Sequence, residues 1–177
     1  VVHIATAANY GLQRDAYLYL AQSRHLDMGY FSTPPLLAFI LRIHTAIWGD
    51  SSVAARLLPA LISTLVLFLV GQLIRNLKGG VRAQILGLSA FLVAPAFLKP
   101  GSLIQPVIFN HLFWLLAAIV VLRLVRKQDP RQLLWLIPVL GLGWLNKYSI
   151  VFYALALLAA LLISPHRHLL WSKYLLM

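Results

Sequence analysis

Carboxylates, cations and aromatic hydroxyls are concentrated in residues 13–45, QRDAYLYLAQSRHLDMGYFSTPPLLAFILRIHT. Asp15 and Asp27 in this segment are two of the four acidic residues of the chain. Asp15 lies beside Arg14 and near Tyr19 in sequence, and a carboxylate so placed can take a proton from an acceptor hydroxyl or amine. An aspartate in the first turn of a helix also has a structural explanation, because the helix dipole favours negative charge there. Asp15 is therefore the first candidate for a catalytic base, with helix stabilisation as the alternative.

Lys147 is the second candidate, because it follows a run of fifteen uncharged residues, 132–146. At 1.5 Å per residue that run covers about 22 Å, less than the ~30 Å of a bilayer hydrocarbon core. We therefore expect its ammonium group low in the membrane interface, where it can bind a lipid phosphate. The alternative is a helix-end lysine that extends to the membrane surface.

Asn110 and His111 form a polar pair within the apolar run 100–122. Polar side chains in a membrane span often line a functional cavity, although hydrogen bonds between helices explain them almost as well. The histidines of the chain lack a metal-ligand spacing, and cysteine is absent. We therefore predict no metal site and no cofactor, and the sequence gives no support for a divalent metal.

The elements that must position these residues are apolar helices. Hydrophobic residues make up 61% of the chain and charged residues 11%, against about 25% charged residues in soluble domains. The pattern predicts an amphipathic helix over residues 13–27, a loop over 28–35 that contains Pro34 and Pro35, and an interfacial helix over 36–48. The five tryptophans, Trp114 among them, are interpreted as interface anchors.

The organisation follows from the uncharged runs and the basic loops. We predict the end of a first span at residues 1–10, an outer loop with the catalytic candidates at 11–50, about five spans at 51–165, and a cytoplasmic loop with the start of another segment at 166–177.

The net charge of +11 does not indicate nucleic-acid binding, because the cations lie between apolar runs. The denser basic loops face the cytoplasm by the positive-inside rule, which puts Asp15 and Lys147 together on the outer face. The basic loops also make membrane lipids expected partners.

Four segments in order carry a resemblance to a known family: RDAYLYLAQSRHLDMGYFSTPPLLAFI, WGDSSVAARLLPAL, NHLFWLLAAIVVLRLV and GLGWLNKYSIVFYALALLAALLISPHRHLL. Together they resemble bacterial C-type membrane glycosyltransferases related to the protein O-mannosyltransferases and the lipid A aminoarabinose transferase. The likeness covers nearly the whole chain, and we interpret residues 1–177 as the N-terminal part of such a protein, inactive as a fragment alone.

The resemblance implies a chemistry and a site. Enzymes of this family move a sugar from a polyprenyl-phosphate donor to a lipid, glycan or protein acceptor outside the bacterial cytoplasmic membrane. Asp15 matches the family's catalytic aspartate, whereas Ala16 stands where the family has glutamate. Lys147 matches a lysine near the donor phosphate. The further candidates for substrate binding are Arg14, Tyr19, Arg24, Arg56, Asn110 and His111.

Relatives often have acids near Gln105 and Asn110 and before the paired prolines, where this chain has Ser32 and Thr33. These departures leave a second interpretation open, a catalytically degenerate protein that binds lipid-linked sugars or acts as a membrane scaffold. A transporter is a third, but the matched discontinuous helices typical of transporters are absent from the sequence pattern. We predict an all-α polytopic transmembrane bundle with interfacial helices in its first outer loop, located in the bacterial inner membrane. The predicted function is inverting glycosyl transfer with Asp15 as base.

Overall fold

The computed structural model of the chain describes residues 11–172. The predicted end of a first span, 1–10, and residues 173–177 lie outside the described residues. All regular structure within the described part is helical. The α-helices are α1 Arg14–Arg24, α2 Leu36–Trp48, α3 Ser52–Asn76, α4 Val81–Val93, α5 Pro95–Leu98, α6 Pro106–Lys127, α7 Leu133–Asn146 and α8 Ile150–Ile163, and the 3-10 helices are Lys99–Ser102, Pro130–Gln132 and Pro165–Trp171.

Residues 11–50, which we call the first polar segment, fold as their sequence predicts. Helix α1 lies inside the expected range 13–27, and α2 has the predicted bounds, Leu36–Trp48. Between them Tyr30 closes the loop, because its hydroxyl lies 2.9 Å from the carbonyl oxygen of Gln22. Helix α2 ends at Gly49, whose φ of 76° is a backbone conformation that favours glycine.

Helix α3 begins with a side-chain cap. The Ser51 hydroxyl accepts a hydrogen bond from the backbone N–H of Ala54 at 3.2 Å. Buried His44 of α2 also reaches this turn, with Nε2 2.7 Å from the carbonyl oxygen of Ala54. These contacts fix the first polar segment against the start of α3.

Two described helices, α3 and α6, are long and apolar enough to cross a membrane, with 25 and 22 residues. Two bent pairs raise the number to as many as four: α4 with the segment Pro95–Ser102, bent by 72°, and α8 with Pro165–Trp171, bent by 114°. Helix α7 has 14 residues, about 21 Å of helix, which is shorter than the ~30 Å hydrocarbon core. The structure is therefore an all-α membrane helix bundle, as predicted, and the count of about five spans stays a prediction.

The apolar core divides between the two ends of the bundle. One group of buried residues joins α1 and α2 to the starts of α3, α6 and α8; we call this the Lys147 end. Its buried members are Ala16, Leu20, Leu37, Leu41, Ala55, Ile104, Ile108, Phe109, Phe113 and Ile150. The second group, at what we call the Arg123 end, is Leu124, Leu133, Leu161, Leu169 and Leu170. The dense basic loops lie at the Arg123 end and the predicted site at the Lys147 end.

Candidate functional site

Lys147 occupies the turn between α7 and α8. Its backbone is extended, with φ −159° and ψ 126°, so α7 ends at Asn146, and the Lys147 N–H still bonds the Gly143 carbonyl oxygen at 2.8 Å. A Cβ on Gly143 would lie 2.9 Å from Cδ1 of Ile150, so the missing side chain lets α8 pack closely beside α7. The lysine is half-buried, and its ammonium group has no hydrogen bond or ion pair to another described residue.

Two buried asparagines belong to the helices that meet at the Lys147 end: Asn146 precedes Lys147, and Asn110 lies one turn after Pro106 in α6. The Nδ2 of Asn146 donates a hydrogen bond to the Pro106 carbonyl oxygen at 3.0 Å, which ties the end of α7 to the start of α6. Asn146 is 1% exposed and Asn110 is 5% exposed, and the Oδ1 of each has no partner among the described residues. Because buried polar atoms are nearly always hydrogen-bonded, these two oxygens mark a place where a further polar group belongs.

His111 extends this polar cluster toward a row of aromatic rings. Its ring stands edge-on to Phe97 with centroids 5.1 Å apart, and it lies within electrostatic range of Lys147. Its Nδ1 and the Nε1 of Trp114 are buried without a partner in the described part of the chain. Trp114 stacks on Tyr153 at 5.1 Å two turns into α6, so it is not the helix-end anchor that its residue type suggests.

Asp15 lies in the first turn of α1, with its side chain 38% exposed. It accepts hydrogen bonds from Gln13 Nε2 at 3.2 Å and Arg14 Nε at 3.3 Å. The Arg14 side chain is 93% exposed, so its guanidinium group lies at the surface and not in the protein interior. One turn later, burial raises the pKa of the Tyr19 hydroxyl, and the Asp15 carboxylate raises it further. Tyr19 therefore stays protonated near neutral pH and can act as a hydrogen-bond donor.

Arg56 and Ala16 meet at a small cavity of about 160 Å³ beside α1. Arg56 lies in the second turn of α3 and donates a hydrogen bond to the Gly11 carbonyl oxygen at 2.8 Å. Ala16, where the family resemblance implies glutamate, is 2% exposed and belongs to the apolar core of the Lys147 end. The position next to Asp15 thus anchors α1 and contributes no second carboxylate.

Arg24 is placed away from the other candidates. It forms an ion pair with Asp50, which joins the last turn of α1 to the turn before α3. Its neighbours in the surface cleft on that side include Arg42 and Thr45. Arg24 therefore contributes to the docking of α1 rather than to the cluster at Lys147.

The structure brings the predicted residues together in two groups at one end of the bundle. Asn110, His111 and Lys147 lie in one group, which also contains Asn146 and Trp114, two residues that sequence reasoning missed. The other group lies around the start of α1 and contains Asp15, Arg14, Tyr19 and Arg56. Both groups are built on the same apolar core, which contains Ala16 and Leu20 from α1 with Phe109 and Ile150 from α6 and α8.

The part of the chain that the structure describes, 11–172, contains no group of three histidine, cysteine, aspartate or glutamate residues placed to hold a metal ion. The polar groups that the predicted site residues offer at the Lys147 end are the Asp15 carboxylate, the Tyr19 hydroxyl, the Lys147 ammonium group and buried amides.

Comparison with known proteins identifies the family. Residues 32–177 match the family described as dolichyl-phosphate-mannose-protein mannosyltransferase. The chain is also 28% identical over 157 residues to the lipid A galacturonosyltransferase RgtD of Rhizobium johnstonii, a match that covers 85% of this chain and 32% of that protein. The chain thus spans about a third of the length of this relative. No solved structure matches the chain significantly.

The matched range contains Lys147, Asn110 and His111, whereas Asp15 precedes it. The assignment of Asp15 therefore depends on the sequence resemblance and on its position at the Lys147 end. The family predicted from the sequence is confirmed. The chain belongs to the dolichyl-phosphate-mannose-protein mannosyltransferase family of membrane glycosyltransferases.

Proposed function

We propose that the full-length protein transfers a sugar from a polyprenyl-phosphate donor to an acceptor at the outer face of the bacterial cytoplasmic membrane, as a multi-pass enzyme. The observation that carries this proposal is the polar cluster at the Lys147 end. Among the described residues Lys147 has no ion-pair partner, and the Oδ1 atoms of Asn110 and Asn146 are buried without partners. The helices that carry them pack on the same apolar core as Ala16, the residue after Asp15. A half-buried cation above apolar helices suits a phosphate whose lipid tail remains in the membrane.

The proposed reaction is a single displacement at the anomeric carbon. Asp15 takes the proton from the acceptor hydroxyl or amine, and the freed electron pair forms the new bond to that carbon. The bond from the anomeric carbon to the phosphate oxygen breaks, and polyprenyl phosphate leaves with its electrons. One displacement inverts the configuration. Lys147 stabilises the charge that develops on the leaving phosphate.

The remaining residues have supporting roles in this proposal. Asn110, Asn146 and His111 offer polar atoms to the sugar or the phosphate, because each has a buried atom without a described partner. Tyr19 donates a hydrogen bond near Asp15, and Arg56 lies behind α1 at the cavity beside Ala16. Arg14 and Arg24 contribute to the outer surface, where they can meet an anionic acceptor. The name of RgtD, a lipid A galacturonosyltransferase, favours a lipid acceptor over a protein.

A second candidate is a catalytically degenerate protein that binds lipid-linked sugars without transferring them. The observation in its favour is Ala16, which is buried in the apolar core where the family resemblance implies glutamate. Such a protein would keep donor binding at the polar cluster around Lys147 and lose the chemistry at Asp15.

A transfer assay with the full-length protein in lipid nanodiscs distinguishes the two. We expect donor-dependent glycosylation of a lipid acceptor by the wild type, and a loss of about 100-fold or more for Asp15→Asn, the range of general-base catalysis. Donor binding by Asp15→Asn should stay within about twofold of wild type, because the base does not hold the phosphate. Full transfer by Asp15→Asn would remove Asp15 as the base. Tight donor binding with no transfer by the wild type would support the degenerate protein.

A further inference from the structure

The Arg123 end of the bundle contains a cleft that the proposed function does not use. It lies between α3, α6 and α7, has a volume of about 380 Å³, and is walled by apolar side chains that include Phe68 and Val139. Arg123, Asn76 and Gln72 supply its polar side. A cleft with a polar end and an apolar body has the shape of a phospholipid site, with room for a headgroup and part of an acyl chain.

Arg123 carries the charge of this cleft. It lies one turn before the end of α6, and within residues 11–172 its guanidinium forms no hydrogen bond or ion pair. The amide of Asn76 is likewise without a hydrogen bond to another described residue, whereas Gln72 accepts one from Arg75. Arg123 is exposed beside the apolar wall of the cleft, and an arginine close to hydrocarbon is costly unless an anion or water meets it.

The chain has few anions to offer Arg123. Of its four acidic residues, Asp15, Asp27 and Asp50 belong to the first polar segment at the other end. The fourth, Asp129, caps the 3-10 helix that follows α6, where it accepts hydrogen bonds from the backbone N–H of Arg131 and the amide of Gln132. None of the four therefore pairs with Arg123, and residues 11–172 supply no counter-charge for this arginine.

We propose that this cleft binds an anionic phospholipid. Its phosphate contacts the guanidinium of Arg123 and the amide of Asn76, and one acyl chain lies against Phe68 and Val139. Trp135 lines the cleft and is 64% exposed, which suits an indole at the level of the headgroups. This lipid would join α3 to α6 and α7 and stabilise the bundle, a role separate from donor binding at the Lys147 end.

Fluorescence quenching of Trp135 tests the proposal. The full-length protein in nanodiscs is titrated with phosphatidylglycerol that carries brominated acyl chains, and the Trp135 signal is the difference between wild type and Trp135→Phe. We expect phosphatidylglycerol to quench this signal at a lower mole fraction than phosphatidylcholine with the same chains. Arg123→Gln should raise the mole fraction required about tenfold, the effect of losing one charge-assisted hydrogen bond.

Three controls complete the test. Arg126→Gln removes an exposed arginine from the same helix that does not line the cleft, and it should change the required mole fraction by less than about twofold. Arg123→Lys keeps the charge and should retain most of the binding, which guards against a folding defect. Excess inorganic phosphate should not reverse the quenching, because the acyl chain contributes to binding.

Each contrary result overturns the proposal. Equal effects of Arg123→Gln and Arg126→Gln would reduce the interaction to general surface charge. Equal quenching by phosphatidylcholine would remove the anion requirement, and reversal by inorganic phosphate would indicate a free-anion site. A Trp135 signal that neither lipid quenches would mean that protein covers the cleft.

Discussion

Replacement of Asn146 by leucine separates a binding role from a structural role at the Lys147 end. The amide is 1% exposed, its Nδ2 bonds the Pro106 carbonyl oxygen at 3.0 Å, and its Oδ1 has no partner among the described residues. Leucine of similar size removes both polar groups. The lost interhelical hydrogen bond costs about 0.6 and at most about 1.7 kcal/mol in a membrane protein, whereas removal of an unsatisfied buried oxygen returns about 1–3 kcal/mol.

The two contributions have opposite signs, so we predict that Asn146→Leu stabilises the protein without bound donor by about 1 kcal/mol. For a chain of this size that corresponds to a rise in Tm of about 2–4 °C. Donor affinity should fall about tenfold, because Asn146 precedes Lys147 and its Oδ1, which has no partner among the described residues, belongs to the polar cluster of the proposed donor site. Thermal unfolding in detergent, with and without polyprenyl phosphate, measures both effects. A fall in Tm of about 6 °C or more with unchanged donor affinity would refute the reasoning, since it would make Asn146 a structural residue only.

Two further predictions concern the first polar segment. Because burial and Asp15 raise the pKa of Tyr19, its contribution to stability is complete below the unfolded-state pKa of about 10 and is lost as the pH rises through the folded-state pKa. Tyr19→Phe should therefore reduce the fall in Tm at alkaline pH, whereas Tyr17→Phe, at an exposed position, should not. Equal profiles of Tm against alkaline pH for the two variants would contradict the role of Tyr19. Arg24→Gln and Asp50→Asn should each cost no more than about 1 kcal/mol, because the pair is 64% and 58% exposed. Both variants should keep transfer activity within about twofold, and a large loss in Arg24→Gln alone would make Arg24 a substrate contact.

The first polar segment was largely predictable from sequence because its signals are local. The prolines at 34 and 35 and Gly49 bound α2 at both ends, and the Ser51 cap begins α3. The same local chemistry puts Asp15 in the first turn of α1. The distribution of Lys and Arg among the loops also separated the dense basic loops from the predicted site. In the structure the basic loops lie at the Arg123 end of the bundle and the predicted site at the Lys147 end.

The polar cluster at the Lys147 end was only partly predictable, because its missed members depend on tertiary contacts. Asn146 appears in the sequence as an ordinary polar residue at a helix end, and its bond to Pro106 joins residues 40 apart in the chain. Between His111 and Arg123, helix α6 is apolar on all sides, so its periodicity gives only weak evidence that Trp114 belongs to the cluster. The pairing of Arg24 with Asp50 across 26 residues has no local signal either.

Binding of polyprenyl phosphate tests the central claim, that the Lys147 end holds the donor phosphate. The affinity of the full-length protein for this lipid, which carries no sugar, is measured for wild type, Lys147→Met and Lys99→Met. Lys99 is an exposed lysine in the 3-10 helix before α6, so it controls for general charge at the same end. We predict about a tenfold or greater loss of affinity for Lys147→Met and less than about a twofold change for Lys99→Met. Unchanged affinity in Lys147→Met, or an equal loss in both variants, would contradict the claim.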